Sequence, residues 1–420
     1  KPLWGGVKLT NSKTICITRT PEPLEWLEHA MKTVFSAAPG LGGVFSITMS
    51  ENATHCNYDM QGDKCPSCSK VKPQEIIARI ITAMERGMHA AAPEVKMIAF
   101  DWAWRKDAEY RESADFKNAV VNLLPKSVYI LSVSEWGMLT HIGNVEQYLI
   151  DYSISQVGPS EETLKTWKHA REIGLKIAAK IQINNSWELS AVPYIPTPYL
   201  IQEHLKKLRQ AGVDGLMLSL TLGGFPGGTA FRGTGNDCCI KISFGTGGKV
   251  CKAWKLFSEA FRQFPFNVYV LYDAPMNYGP MNLLCLQKTG YTATMIGYPY
   301  DDLETWRGPY PEEILEKQFQ LLTEEWKKGL DLLREAAHLV KENERTDFDE
   351  LTRISTATYD HLRSTFLQIR FIRARNHGFD RVRMTECALE EIVLAKELAS
   401  IVRKDSRIGF EASNHLLYAE

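Results

Sequence analysis

Five acids in this chain stand just beyond short apolar runs. The runs close as ITMSEN at Glu51, IAFDWAW at Asp101, ILSVSEW at Glu135, YLIDYS at Asp151 and INNSWE at Glu188. Trp or Asn stands close to most of them: Asn52, Trp102, Trp104, Trp136, Asn184, Asn185 and Trp187. Carboxylates can carry a proton or attack a carbon, amides can hold hydroxyls, and indole faces can stack on a ring. Those three capacities together are what a pyranose site requires, with two carboxylates dividing the work of acid and of nucleophile or base. One acid after a strand is more often a helix cap or a surface charge. Recurrence in equivalent places is what favours chemistry. The expected catalytic pair is Glu51 with Glu188, three barrel positions apart; Glu135 is its strongest rival and Asp101 the next. Asn52, Asp101, Trp102, Glu135, Trp136, Asn184 and Trp187 are expected to bind substrate.

A second group of residues points to a metal or to redox chemistry. Cys65 and Cys68 form a Cys-x2-Cys pair, with His55 and Cys56 a few residues upstream. That spacing suits a zinc knuckle, and Cys56 or His55 could complete part of the ligand set. Cys16 is a speculative fourth. A disulfide within the loop and plain reduced thiols are the alternatives. Any zinc held by Cys56, Cys65 and Cys68 is expected to be structural, and catalysis itself is expected to need no cofactor. The nine cysteines are an odd number, so at least one thiol lacks an intramolecular disulfide partner.

Several chemistries find no support. No Gly-x-Ser-x-Gly elbow and no HExxH motif occur. The glycine-rich stretch 223–248 lacks the Lys-Ser/Thr ending of a phosphate loop and reads as a long loop. The 49 basic and 50 acidic residues balance to a net charge of −1, which gives no electrostatic case for nucleic acid. No apolar run is long enough to span a bilayer. The expected partner is a neutral carbohydrate, consistent with 10 Trp and 16 Tyr.

The elements that must position these residues follow a βα rhythm. Candidate strands are Thr14–Thr18, Val44–Met49, Lys96–Asp101, Ser127–Val133, Tyr148–Ser153, Lys176–Gln182, Gly215–Leu220 and Val268–Tyr272. Helical spacing of apolar residues marks Pro23–Ala37, Pro73–Ala91, Glu161–Ile173 and Pro198–Ala211 between them. Helix, Gly stop and buried strand recur, as in AREIGLKIAAKIQI. Parallel α/β architecture of the (β/α) TIM-barrel type follows, in which acids beyond strand ends lie at the active mouth. Residues 134–147 leave no room for a helix and read as a loop or hairpin insert. Counting them so leaves fewer than eight strands. With an opening residue that is Lys and not Met, this suggests a processed or trimmed chain that lacks upstream elements. From Pro311 the pattern changes to three long amphipathic stretches. The expected division is therefore a barrel over 1–310 and a helical C-terminal domain over 311–420.

The segment PLEWLEHAMKTVFSAAPGLGGVFSITMSEN resembles the part of glycoside hydrolase family 20-like barrels in which a helix and turn lead into the acid-bearing strand. The stretches NNSWELSAVPYIPTPYL, GVDGLMLSLTLGG, YPYDDLETWRGPYP and DSRIGFEASNHLLYA look like those of large hydrolases from polysaccharide-degrading bacteria. The family signature His-x-Gly-Gly-Asp-Glu is absent: the place reads Thr48-Met49-Ser50-Glu51. Only Glu51 carries over, as general acid. The resemblance implies an exo-acting glycoside hydrolase placed in the periplasm or outside the cell, with relatives that carry an N-terminal β domain. The alternative is a non-catalytic carbohydrate-binding protein on a degenerate hydrolase barrel. A polysaccharide lyase or sugar-modifying enzyme, which would want a Tyr, Lys or His base, is the third reading.

Overall fold

The structure is a computed structural model, and it describes residues 5–8, 13–49, 55–57, 62–104, 113–183, 185–219, 244–246, 248–295 and 299–409. Along the chain, β1 (Gly5–Lys8) and β2 (Lys13–Ile15) form an antiparallel ribbon. Then come α1 (Glu22–Ala37), β3 (Gly43–Ile47), α2 (Pro73–His89), β4 (Lys96–Phe100), α3 (Ala114–Val121) and β5 (Val128–Val133). β6 (Leu139–Ile142) and β7 (Val145–Tyr148) make a second antiparallel ribbon. α4 (Glu161–Glu172), β8 (Lys176–Gln182), α5 (Pro198–Ala211) and β9 (Gly215–Ser219) restore the βα rhythm. The remainder is helical: α6 (Lys249–Phe261), α7 (Val268–Asp273), α8 (Glu312–Ala336), α9 (Arg345–Asn376) and α10 (Arg381–Val402).

By packing, the chain forms two compact units: residues 1–138, 159–180 and 208–217 in one, and 139–158, 181–207 and 218–420 in the other. The first unit is built on a curled half-barrel, a parallel sheet in the order β3-β4-β5-β8-β9. Its register is unbroken: Phe45 pairs with Ile98, Ile98 with Tyr129, and Ile130 with Ile177. Central strands of a parallel sheet are covered on both faces and therefore run almost wholly apolar. Met97, Ala99, Val128, Ile130, Ile177 and Ala179 are all buried accordingly. Burying a large aliphatic side chain of this kind contributes roughly 1.5–3 kcal/mol. At the sheet's edges apolar side chains reach solvent instead, Phe45 and Ile47 on β3 and Leu216, Met217 and Leu218 on β9. The helices on one face pack tightly. A Cβ at Gly87 of α2 would overlap the Glu28 carbonyl oxygen of α1, so only glycine permits this approach.

The second unit includes the β6–β7 ribbon, closed by Gly143 and Asn144, both at positive φ. That is the backbone a two-residue hairpin turn demands, and Gly and Asn are the residues that tolerate it. Its helices pack through aromatic contacts. Phe257 of α6 stacks on Trp326 of α8 at 4.4 Å between ring centroids. The Trp326 indole N–H donates to the Ser355 carbonyl of α9 at 2.9 Å.

Three expected strands are otherwise. Thr14–Thr18 supplies only Thr14 and Ile15, to the antiparallel ribbon strand β2 and not to the parallel sheet. Val268–Tyr272 is the helix α7: the Asn267 side chain accepts from the Tyr269 N–H, a cap that overrides the β-preference of a Val- and Tyr-rich run. Tyr148–Ser153 contributes only its first residue to a strand, the ribbon strand β7. The parallel sheet has five strands among the described residues and stops short of a closed eight-strand barrel.

Candidate active site at the strand ends

In the first unit, three hydrogen-bonded neighbours, β3, β4 and β5, deliver their polar residues at the same, C-terminal edge. Beyond β3 the chain reaches Thr48, whose hydroxyl accepts from the Trp104 indole N–H at 2.9 Å. Its carbonyl pairs with His55 Nε2 at 2.9 Å. Burial lowers the His55 pKa to about 4, against a raising effect from the Thr48 carbonyl, so this ring is neutral at pH 7.

Asp101 follows β4 directly. It and Lys117 of α3 are each 1% exposed and form an ion pair at 2.8 Å. The Ser132 hydroxyl of β5 donates to the same carboxylate oxygen at 2.7 Å and itself accepts from the Trp167 indole at 3.0 Å. Asp101 Oδ1 is buried with no hydrogen-bond partner among the described residues. Ala103, two residues on, sits at φ 58°, a left-handed backbone that costs a non-glycine residue energy and that tends to collect at functional turns.

Glu135 lies two residues beyond β5, fully buried, and accepts from the Ser134 hydroxyl at 2.7 Å. Trp136 next to it is buried, and Trp102 stands half-buried against it, edge to face at 5.8 Å. Neighbouring strands run about 4.8 Å apart. Two buried carboxylates and an aromatic pair therefore leave the sheet at adjacent strand ends.

In the second unit, Glu188 sits on a short 3-10 turn, Trp187–Leu189, whose N-cap is Ser186. Its carboxylate is fully buried and accepts from the hydroxyls of Ser153 and Ser186, both at 2.8 Å. The N–H groups of Ile154, at 2.7 Å, and Ser155, at 3.2 Å, donate to it as well. Burial pushes this carboxyl above the usual range, against the lowering effect of hydrogen bonds from Ser155, Ile154, Ser186 and Ser153. A raised pKa suits a proton donor, yet both oxygens already hold the 153–155 loop in place. Trp187 packs against Tyr272 at 5.6 Å, and the Tyr272 hydroxyl donates to Asp151.

The cysteines converge more fully than their spacing implies. The sulfurs of Cys16, Cys56, Cys65 and Cys68, all buried, lie within 4.8 Å of one another. Burial alone would raise the Cys16 thiol, but hydrogen bonds from Thr18, Cys65 and the Arg19 backbone outweigh it and bring the pKa to about 7. Burial pushes the Cys68 thiol up. His55, turned to Thr48, is not one of the four.

No protein-family model matches the chain, and no curated protein matches its sequence. Among solved structures it is similar to a GH138 enzyme targeting pectin rhamnogalacturonan II. The TM-score is 0.46 and the identity 12%, over 96% of this chain and 59% of that one. It is also similar to a GH89 enzyme from Clostridium perfringens, solved with its substrate GlcNAc-alpha-1,4-galactose. There the TM-score is 0.37 and the identity 10%, over 76% of this chain and 31% of that one. Both neighbours are glycoside hydrolases, and the chain spans less than two thirds of the length of either. At these scores and identities neither likeness assigns a substrate or a residue role to this chain. Among the described residues no helix is long and apolar enough to cross a membrane.

Of the residues singled out in the sequence, Glu51, Asn52 and Asn184 lie outside the described residues. Asp101, Trp102, Glu135 and Trp136 come together at adjacent strand ends. Glu188 and Trp187 belong to the second unit. Three participants carried no readable signal: Lys117, Ser132 and Thr48. Only the places of Thr48 and Ser132 near strand ends could have pointed to them.

Proposed function

We propose that this chain hydrolyses glycosidic bonds, using carboxylates at the C-terminal edge of a (β/α)-barrel sheet. The observation that carries the reading is the pair of adjacent strands β4 and β5, each delivering a buried acid and a tryptophan: Asp101 with Trp102, Glu135 with Trp136. Glu51 follows β3, the next strand over, and keeps the role of general acid that its likeness to family 20-like barrels implies. Glu135 takes the part of nucleophile or base. It stands next to Trp136 in the chain, one strand over from Asp101, whereas the Glu188 carboxylate holds the 153–155 loop. Asp101, tied to Lys117 in a buried ion pair, ends the strand that lies between β3 and β5. Trp102 supplies a ring face for the sugar.

The test is hydrolysis of a panel of chromogenic glycosides and released glycans by the wild-type chain and by Glu51→Gln. Cleavage of at least one substrate is expected. Its rate should fall about 10²–10⁴-fold in the variant, the usual weight of a general acid. Binding without cleavage by the wild-type chain would favour the lectin-like alternative. A lyase would show itself as an unsaturated product absorbing in the ultraviolet.

A further inference from the structure

Four cysteines from three separate stretches meet at one point. Cys16 follows β2, Cys56 lies in the segment after β3, Cys65 follows one 3-10 turn, Gly62–Lys64, and Cys68 opens the next, Cys68–Lys70. Cys16 Sγ is 3.7 Å from Cys65 Sγ and 3.8 Å from Cys68 Sγ. Those separations are far beyond a disulfide bond of about 2.05 Å. They match the edge of a sulfur tetrahedron around one ion: bonds of about 2.3 Å give edges of about 3.8 Å. Thr14 donates its hydroxyl to Cys56 Sγ at 3.5 Å, and the Thr18 hydroxyl lies 3.1 Å from Cys68 Sγ. Hydroxyls placed on sulfur in this way steady thiolate ligands. The surroundings are apolar, with Ile17, Ile76 and Ile80 buried against the sulfurs and Leu24, Leu27, Val71 and Met84 packed outside them. Simple core packing does not require four sulfurs to share one centre, and thiols are poor hydrogen-bond partners for one another.

We infer that Cys16, Cys56, Cys65 and Cys68 bind a single zinc ion as four thiolates, in a closed structural site. Soft sulfur donors at tetrahedral spacing select zinc or iron among the common metals. Among the described residues the ligand set is four cysteine sulfurs with no acid or histidine, which suits an ion that does no chemistry. The ion would join the β1–β2 ribbon to the loop after β3 and to the two turns before α2. Cys56 lies five residues beyond Glu51, so the same clip would anchor the chain close in sequence to the proposed general acid. That last consequence rests on the proposed function; the metal site does not.

Metal content tests it directly. The full chain, purified without metal-affinity steps, is assayed by inductively coupled plasma mass spectrometry. About one zinc per chain is expected, retained through dialysis and released one-for-one when a mercurial blocks the thiols. Growth on cobalt should give the intense near-ultraviolet sulfur-to-metal bands and visible absorption of a tetrathiolate ion. Cys16→Ser and Cys65→Ser should lower zinc content at least tenfold, while Cys251→Ser should leave it unchanged. If the serine variants fail to fold, the cobalt spectrum of the wild-type chain still decides. A folded wild-type chain free of metal, whether its thiols are reduced or paired as disulfides, overturns the inference. So does stoichiometric iron, or cobalt bands that lack sulfur charge transfer. None of these readings depends on any glycosidase activity.

Discussion

Asp101 and Glu188 are both buried carboxylates just beyond strands, and the molecule satisfies them in opposite ways. Asp101 has a cation, Lys117 at 2.8 Å, and one hydroxyl. Among the described residues the donors to Glu188 are neutral, serine hydroxyls and the backbone N–H groups of Ile154 and Ser155. An ion pair in the interior keeps charge but leaves each partner dependent on the other. A cage of neutral donors holds a loop, and burial then raises the acid's pKa. The same sequence signature, an acid at a strand end, thus serves two purposes, and what separates them is the donor set around each carboxylate.

The contrast can be broken most forcefully at Lys117. Lys117→Met strands the Asp101 charge in the interior and should destabilise the protein by about 3–5 kcal/mol in chemical denaturation. Adding Asp101→Asn should recover most of that loss. A single-variant cost below about 1 kcal/mol would show that the pair is not the buried ion pair described.

A third buried acid extends the comparison into the helices. Glu391 of α10 accepts from the Ser364 hydroxyl of α9, and burial raises its pKa from 4.5 to about 7, against the lowering effect of Ser364 and Gln368. Because the folded pKa exceeds the unfolded one, the folded state binds more protons between pH 4.5 and 7. Stability is therefore highest below that window and falls as pH rises through it. Glu391→Gln removes the ionisation. It should leave the melting temperature unchanged near pH 4 and raise it near pH 8, by an amount on the order of 3 kcal/mol in stability. Equal effects at both pH values would contradict the assignment.

The smallest expected effect is at the aromatic pair. Trp102→Ala should weaken binding of the cleaved glycan by about 1–3 kcal/mol with little change in stability, read by titration calorimetry. The half-buried Trp102 is the exposed member of the pair, whereas Trp136 is core. Unchanged affinity would move the sugar away from β4.

Much of the scaffold was legible in the sequence. The bounds of β8 and α5 follow directly from Lys176–Gln182 and Pro198–Ala211, because buried parallel strands and amphipathic helices have distinct periods. The hairpin at 139–148 was visible as a place with no helix. Partners distant in sequence were harder to read. Lys117 lies 16 residues beyond Asp101 with no local spacing to mark it, and Cys16, 49 residues before Cys65, could be named only as a speculative fourth ligand. α7 was hidden because Val and Tyr favour strands, and one Asn cap reversed the outcome. Glu188 looked like Asp101 because donor sets are assembled by folding.

If Glu135, two residues beyond β5, is the working partner of Glu51, the most direct measurement compares Glu135→Gln with Glu188→Gln on the same cleaved glycan. Both variants are first checked for native circular dichroism. Loss of the Glu135 carboxylate should lower kcat by at least about 10²-fold. Glu188→Gln should act mainly on stability, by about 1–3 kcal/mol, because an amide donor meets N–H groups that need an acceptor. A folded Glu188→Gln chain that has lost turnover, beside a Glu135→Gln chain that keeps it, would contradict the claim and place the acid's partner on the 3-10 turn after β8.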